Sequence, residues 1–350
     1  MKSRVCRLHG QNDLRIETVD VIQPGPGQVL VAVHAGGICG SDLHYVNEGG
    51  IGAVRVREPI ILGHEVSGQV LAVGKGVEGL TMGTKVAINP SRPCGACSFC
   101  AKKLKMHCLN MRFNGSAARL PHDQGLFRDK AVIDATQCLP LPENANMVAA
   151  ACSEPLAVCL HAMKISGGVR GKRILITGAG AIGSLCVAAA AAAGAAEIVI
   201  TDLHDEPLAT AMKMGASRAI NICRDAVEMD VYAKDKGYFH LAFECSAAAS
   251  AIRSAIAMLR PRGVLIQVGV AGETPVPINA LVAKEIRVQG SYRFHDEFAE
   301  AVGAIISGRI DVSPIMSLRC PLEDANAAFN AAADRTRTVR VHLTFEAGSV

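Results

Sequence analysis

Tryptophan is absent from this 350-residue chain, and aromatic residues make up only 4% of it. Side chains on which nucleic-acid bases could stack are therefore scarce. The chain also has no large excess of charge of one sign. Its 36 lysines and arginines nearly balance its 32 aspartates and glutamates, and the formal net charge is +4. This balance gives no electrostatic reason to expect nucleic acid or a membrane as a partner.

Long apolar runs are missing as well. The apolar stretch at residues 185–196 is too short to span a bilayer, and polar residues follow Met1 before a signal sequence could form. The chain shows no internal repeat. Thirteen cysteines without an export signal indicate reduced thiols, some of them on metal, and a cytoplasmic location.

What the sequence does contain is a strand, glycine turn, helix and strand between residues 172 and 202. An apolar β-branched run leads into Gly-Ala-Gly-Ala-Ile-Gly at residues 178–183. Gly178 permits a tight turn, Gly180 lets the backbone approach a pyrophosphate, and Gly183 lets the helix pack closely on the sheet. The pattern predicts a dinucleotide site; an ordinary glycine turn in a parallel sheet is the alternative.

The helix N-terminus, which includes Ile182, would offer free N–H groups to the phosphates. Asp202 closes the second strand, where its carboxylate can accept hydrogen bonds from an adenosine ribose. Leu203 follows it, so a 2′-phosphate would meet negative charge without a basic neighbour. We therefore expect NAD rather than NADP.

The pattern of strands and helices divides the chain into two units. Residues 1–150 read as short strands with glycine and proline turns, which predicts an irregular β-barrel or sandwich. Residues 151–289 alternate strands with helices, as in a doubly wound parallel sheet. The remaining residues, 290–350, are expected to rejoin the first unit because they bury too little alone. The six strands expected in the central unit lie near residue 174 and at 197–202, 218–222, 240–245, 263–268 and 286–290.

Four cysteines lie close together in a lobe at residues 93–110. Their spacing is Cys-x2-Cys-x2-Cys-x7-Cys, and four thiolates so close in sequence suit a closed, tetrahedral structural zinc site. Chance clustering and an iron–sulfur cluster are the alternatives. The cysteines are Cys94, Cys97, Cys100 and Cys108.

A second metal site requires residues scattered along the chain. Cys39, His64 and Glu154 supply a thiolate, an imidazole and a carboxylate, which would leave zinc one open position for water or substrate. Each of them alone has an ordinary explanation, such as a buried cysteine or a core histidine.

Several segments resemble zinc-dependent medium-chain alcohol dehydrogenases. The likeness rests on Gly-His-Glu-Val-Ser-Gly at residues 63–68, Cys-Gly-Ser-Asp at 39–42, the cysteine lobe and the glycine motif, in that family's order. It covers essentially the whole chain. The resemblance implies a GroES-like catalytic domain formed by both ends of the sequence, with a Rossmann domain inserted between them.

Within the family, Glu154 in place of a second cysteine resembles the polyol dehydrogenases. Residues 111–116 and 290–294 are closer to L-idonate 5-dehydrogenases, and Phe294 stands where sorbitol dehydrogenases typically carry tyrosine. The resemblance implies that Glu65 or Glu154 coordinates the catalytic zinc directly, with Glu154 otherwise holding its water. It also implies a homo-oligomer, a dimer or tetramer, and strand 263–268 is a candidate for sheet pairing across a two-fold axis.

The remaining site residues follow from the same resemblance. Ser41 and His44 would relay the proton from the substrate to solvent, although Ser41 also suits a helix N-cap. Arg112, Arg119 and Arg293 are the basic candidates to bind a substrate carboxylate, and Arg293 also resembles a polyol-binding position of the family. Tyr45 is a candidate for the pocket wall.

The expected activity is zinc-dependent hydride transfer from a secondary hydroxyl to NAD. The expected substrate is a sugar acid, L-idonate, giving 5-keto-D-gluconate. A sorbitol- or xylitol-type polyol dehydrogenase is the alternative, and a non-catalytic nucleotide-binding protein is the alternative from another class.

Overall fold

The structure, a computed structural model, describes residues 1–270 and 272–345. The expected fold class agrees with the structure, in which a β-rich unit is accompanied by an inserted unit with a doubly wound parallel sheet. The end of the expected catalytic domain, residues 346–350, lies outside the described residues.

The first 152 residues form short strands and three helices. The strands are β1 (Lys2–Gly10), β2 (Asp13–Asp20), β3 (Gln28–Gly37), β4 (Gly50–Ile51), β5 (Val54–Arg55), β6 (Ile60–Ile61), β7 (Glu65–Val73), β8 (Lys85–Ile88), β9 (Ser91–Arg92), β10 (Arg112–Phe113), β11 (Lys130–Asp134) and β12 (Cys138–Pro140). The helices are α1 (Gly40–Glu48), α2 (Ser98–Ala101) and α3 (Met147–Ala151). Two 3₁₀ helices lie at Lys105–His107 and Ala135–Gln137.

Residues 153–290 form the inserted unit. Its elements are α4 (Ser153–Ile165), β13 (Arg173–Thr177), α5 (Ala181–Ala192), β14 (Glu197–Asp202), α6 (Asp205–Lys213), β15 (Arg218–Asn221), α7 (Asp230–Ala233), β16 (Phe239–Glu244), α8 (Ala249–Met258), β17 (Leu259–Gln267), α9 (Ile278–Lys284) and β18 (Arg287–Gly290). The last segment contains α10 (Glu297–Ile306), β19 (Met316–Pro321), α11 (Ala325–Ala333) and β20 (Arg340–Thr344). The 3₁₀ helices of these two parts lie at Ala226–Met229, Lys234–Lys236, Ser313–Ile315 and Leu322–Asp324.

Strand β3 is the centre of the largest β-sheet. Its apolar run of three valines, a leucine and an alanine is buried on both faces, as an interior strand requires. The sheet order is β12-β8-β7-β3-β20-β19, and β11 also pairs with β3. Because β20 pairs antiparallel with β3, the end of the chain returns to the first unit.

The inserted sheet has the order β15-β14-β13-β16-β17-β18, and all its pairs are parallel. The order reverses between β13 and β16, which is where such sheets bind ligands.

The expectation that strand 263–268 could pair across a two-fold axis is wrong. That strand overlaps β17, which pairs with β16 and β18, and the edges of the sheet are β15 and β18.

The glycine turn explains why β13 and α5 pack so closely. Gly178 has a φ of +87°, a conformation that favours glycine. A Cβ on Gly183 would lie 1.7 Å from the Gly178 carbonyl oxygen, so no side chain fits there.

In the part of the chain that the structure describes, no helix has the length and apolarity needed to cross a membrane.

The cysteine lobe has little core of its own. The four sulfur atoms lie within 4.8 Å of one another, and those of Cys97 and Cys108 are 3.9 Å apart. Backbone amides of residues 100 and 109 lower the pKa of the Cys97 thiol to about 6, which favours the thiolate that a metal requires. The donor set fits a tetrahedral zinc ion.

Replacing one lobe cysteine should therefore release metal and destabilise the protein. For Cys97→Ser we expect about one zinc ion fewer per chain and a lower thermal unfolding midpoint, because structural zinc contributes folding free energy. Elemental analysis and thermal unfolding measure the two effects. Cys223→Ser, at an exposed cysteine outside the lobe, is the matched control. Unchanged zinc content and midpoint in the lobe variant would contradict the structural-zinc assignment.

Candidate metal and nucleotide site

Strand pairing assembles a buried group of potential metal ligands. Cys39 follows β3, His64 precedes β7 and Glu65 begins β7, and the register pairs Gly37 with Glu65. The ligand atoms of these three residues lie within 4.8 Å of one another. The two short loops therefore place a thiolate, an imidazole and a carboxylate at one point.

Asp42 holds two members of this group in position. Its carboxylate accepts hydrogen bonds from the backbone amides of Cys39, at 3.0 Å, and Gly63, at 3.4 Å. Its Oδ1 also lies 3.7 Å from Nδ1 of His64. A carboxylate behind a histidine fixes the ring and leaves the other nitrogen as the metal donor.

The electrostatics of the group favour metal binding. Burial alone would raise the pKa of the Cys39 thiol, but the neighbouring His64 imidazole reverses the shift and lowers it. Burial would lower the pKa of His64, and Asp42 and Cys39 together raise it. Without metal these two side chains therefore favour a thiolate beside an imidazolium. A zinc ion would replace that proton as the counter-charge.

Glu65 is itself engaged by a cation. Its fully buried carboxylate forms an ion pair with the guanidinium of Arg340, which comes from the first residue of β20. Gly37 provides the space for this pair, since a Cβ there would lie 2.6 Å from Glu65 Oε2 and 2.8 Å from Arg340 Nη2. Glu65 thus faces both the possible metal and a fixed positive charge.

Glu154 lies close to the same centre but outside the group of three ligand atoms. It occupies the first turn of α4 and is buried. Burial raises the pKa of its carboxyl, while the nearby His64 and Arg293 act in the opposite direction. A carboxyl with a raised pKa beside a metal can hold or release a proton near neutral pH.

One wall of the site is aromatic and basic. The Phe113 ring is 5.6 Å from the His64 ring, and the Arg293 guanidinium carbon lies 4.1 Å above the Phe113 ring centre. Arg293 has a φ of +54°, which is strained for a residue other than glycine and typical of functional positions. Tyr45 is buried nearby, where its hydroxyl oxygen accepts a hydrogen bond from the Ala117 amide.

Arg112 is not brought to the ligand group. Neighbouring residues of a strand point to opposite faces, so while Phe113 faces His64, Arg112 points away. Its Nε donates to Asp123 Oδ1 at 2.5 Å.

Phe294 is turned into the core, where it stacks on Phe298 with ring centres 5.8 Å apart. Its contacts therefore give no reason to exclude sorbitol as a substrate.

Ser41 and His44 both lie on α1, directly after Cys39. The N-cap of this helix is Cys39, so the alternative role of Ser41 as N-cap is wrong. His44 is exposed, and its Nδ1 lies 2.8 Å from Glu48 Oε1. The helix therefore runs from the ligand group to the protein surface.

The expected nucleotide residues lie together at the reversal point of the parallel sheet. Gly178 and Gly180 form the turn, and Ile182 and Gly183 lie in the first turn of α5. The Asp202 carboxylate accepts hydrogen bonds from the backbone amides of Ala179, Leu203 and His204, at 2.6, 2.7 and 3.0 Å. It is thus fixed at the end of β14.

Arg335 links the glycine turn to the metal ligands. Its Nη1 lies 3.2 Å from the position that a Cβ of Gly180 would occupy, and its Nη2 lies 4.0 Å from the equivalent position of Gly40. Gly40 is the neighbour of Cys39. The nucleotide turn and the metal group are therefore adjacent, with a positive charge between them.

Sequence reasoning missed Asp42, Arg335 and Arg340. Asp42 had a local signal, because an acidic residue three positions after a helix N-cap commonly bonds back to it. Arg335 and Arg340 had no local sequence signal, because only the pairing of β20 with β3 brings the end of the chain to the site.

Family models match both units. The model "Alcohol dehydrogenase GroES-like domain" matches residues 25–143, and "Zinc-binding dehydrogenase" matches residues 181–307. The L-idonate 5-dehydrogenase (NAD(P)(+)) of Escherichia coli K12 is 39% identical over 348 residues, 99% of each chain. Human sorbitol dehydrogenase is 35% identical over 327 residues, 92% of this chain and 90% of its own.

A solved structure agrees with these matches. The crystal structure of L-idonate 5-dehydrogenase from Escherichia coli superposes with a TM-score of 0.93 at 39% identity, covering 99% of each chain. The chain is therefore an enzyme, an oxidoreductase, and the non-catalytic alternative is not supported. It belongs to the zinc-dependent medium-chain alcohol dehydrogenase family.

Proposed function

We propose that the protein oxidises a secondary hydroxyl of a sugar acid, L-idonate to 5-keto-D-gluconate, with NAD as the hydride acceptor. The observation that carries this proposal is the position of Arg293, a guanidinium beside the buried group of Cys39, His64 and Glu65. A guanidinium suits a carboxylate, because it offers two parallel N–H donors and a fixed charge. The similarity to an L-idonate 5-dehydrogenase supports the same substrate.

The donor set fits a zinc ion at this group, with Cys39, His64 and Glu65 as ligands and Glu154 beside them. Bound there, zinc would polarise the substrate hydroxyl, and NAD would accept the hydride. Asp42 holds His64, and Arg340 balances the charge of Glu65. These buried contacts thus fix the positions of the potential metal ligands.

The proton of the hydroxyl needs an acceptor and a route to water. Glu154 is the candidate acceptor, since it is buried beside His64 and burial raises the pKa of its carboxyl. We assign the later steps to Ser41 and His44 on α1, because that helix begins at Cys39 and His44 is exposed at the surface. An exposed histidine exchanges protons with solvent near neutral pH.

The glycine turn and the helix it begins are assigned to the cofactor pyrophosphate. Gly180 lets the phosphates approach, and Arg335 supplies a positive charge beside them. Asp202 is assigned to the adenosine ribose. Because its carboxylate is held by three amides, it is a fixed negative charge that disfavours a 2′-phosphate.

A neutral polyol such as sorbitol or xylitol is the second candidate substrate. The specific observation in its favour is that Arg293 lies over the rings of Phe113 and Tyr292, at 4.1 and 5.1 Å, and so has a packing role too. The similarity to sorbitol dehydrogenases supports it. Tyr45 would line the pocket with either substrate.

We also propose a homo-oligomer, a dimer or tetramer, that works in the cytoplasm. The free edge of β18 supports sheet pairing between copies, because its backbone groups lack a partner strand on one side within residues 1–270 and 272–345. The many free cysteines suit a reducing compartment.

The substrate proposal is tested by NADH formation from L-idonate, D-gluconate, D-sorbitol and xylitol, measured side by side with zinc-replete protein. We expect the highest kcat/KM with L-idonate. For Arg293→Gln we expect about a tenfold or larger loss with L-idonate and a smaller loss with sorbitol, since only the acid loses a charged hydrogen bond. Equal losses would assign Arg293 a packing role and favour the polyol.

Replacing a ligand should stop chemistry without preventing cofactor binding. For Cys39→Ser we expect turnover to fall by about a thousandfold or more, because metal stabilisation of several kcal/mol is lost. The NADH dissociation constant, measured by fluorescence, should stay nearly the same. Cys223→Ser serves as the control. A fall in NADH affinity as large as the fall in turnover would contradict the assignment of Cys39 to the metal.

Asp202→Asn should alter the choice of cofactor while keeping an oxygen acceptor for the backbone amides. We expect the ratio of kcat/KM for NAD to that for NADP to fall about tenfold or more, since one charge at the ribose is removed. Steady-state kinetics with both cofactors measure the ratio. If it stays constant while the fold is intact, Asp202 is not in the ribose site.

A further inference from the structure

A second polar cleft lies on the other face of β10 from the metal ligands. It has a volume of about 240 Å³. Phe113 separates it from His64, because the two residues of β10 point to opposite sides. Its charged lining residues are Arg92, Arg112, His122, Asp123 and Arg128.

Two of the three arginines in this Arg128 cleft have carboxylate partners. Arg112 pairs with Asp123 at 2.5 Å, and Arg92 pairs with Asp134 at 2.9 Å. No carboxylate in residues 1–270 and 272–345 lies within 4.0 Å of the Arg128 guanidinium. The cleft therefore carries one uncompensated positive charge.

The surroundings of Arg128 disfavour an unpaired positive charge. Its Nε atom is buried and has no hydrogen-bond partner in the described part of the chain. Burial lowers the pKa of the guanidinium to about 10, and the positive charge of Arg7 acts in the same direction. A half-buried, unpaired charge is costly, so an anion that bound here would be favoured.

His122 does not supply the missing partner. Its Nε2 accepts a hydrogen bond from the Arg57 amide at 3.0 Å, so its Nδ1, 2.6 Å from the Arg119 carbonyl oxygen, is the donor. Both ring nitrogens are therefore used within the protein. The Arg128 guanidinium lines the cleft, and the fork geometry of its N–H groups matches the oxygens of phosphate and carboxylate.

We propose that the Arg128 cleft binds a small oxyanion carrying a phosphate or carboxylate group. Arg128 is the main partner, and Arg92 and Arg112 contribute their remaining N–H groups. This site requires neither zinc nor nucleotide, so it does not depend on the proposed function.

Titration calorimetry with inorganic phosphate tests the proposal. The protein is first saturated with NADH, so that the glycine turn is occupied. We expect one phosphate site per chain in the wild type and about tenfold or more weaker binding in Arg128→Gln, which loses a charged hydrogen bond. Arg253→Gln, an equal charge change at an exposed position of α8, should bind phosphate as the wild type does.

Two further measurements keep the result decisive. Arg128→Lys keeps the charge without the fork and should bind with intermediate affinity, which covers the case in which Arg128→Gln does not fold. Absence of binding to the wild type, or equal phosphate affinity in the wild type and Arg128→Gln, would overturn the proposal. If Arg128→Gln instead changed the sedimentation mass and not the phosphate affinity, the partner would be a carboxylate of a second copy, and the small-ion proposal would be wrong.

Discussion

The pairing of β3 with β7 and with β20 is the constraint on which the rest of the structure depends. It places Glu65 and Arg340, which are far apart in sequence, in one buried ion pair, and it places His64 beside Cys39. Buried charges are stable only when their partners are fixed. The same strands therefore hold the catalytic unit together and create the charge pattern that suits a metal ion.

The second requirement is that the β-rich part and the parallel-sheet part of the chain present their ligands at one place. The nucleotide turn belongs to the inserted sheet, whereas the metal ligands belong to the β-rich unit. Arg335, close to both Gly40 and Gly180, shows that the two sites are adjacent. Hydride transfer requires such adjacency, because the reacting atoms must lie within about 3–3.5 Å of each other. The insertion of one unit into the other achieves this without a long linker.

Sequence patterns predicted the parts of this arrangement that depend on local chemistry. The glycine turn, the strands of the parallel sheet and the cysteine lobe each follow from neighbouring residues. The partners of Glu65 and the position of Arg335 could not be predicted, because they depend on strand pairing across more than 150 residues. Arg112 was expected in the substrate site because a guanidinium suits a sugar-acid carboxylate, but the alternation of a two-residue strand turns it to the opposite face. Strand 263–268 was wrongly expected at an edge of the sheet, because the apolar character of a strand does not reveal its position in the strand order.

The chain is expected to hold two zinc ions of different kinds, one structural and one open to substrate. Anomalous X-ray scattering at the zinc edge, from crystals of active enzyme, would locate both ions. We predict two peaks per chain: one surrounded by the four lobe sulfurs, and one bonded to Cys39 and His64 with a position free of protein ligands. A single peak in the lobe of an active crystal, or a second site closed by four protein ligands, would contradict it.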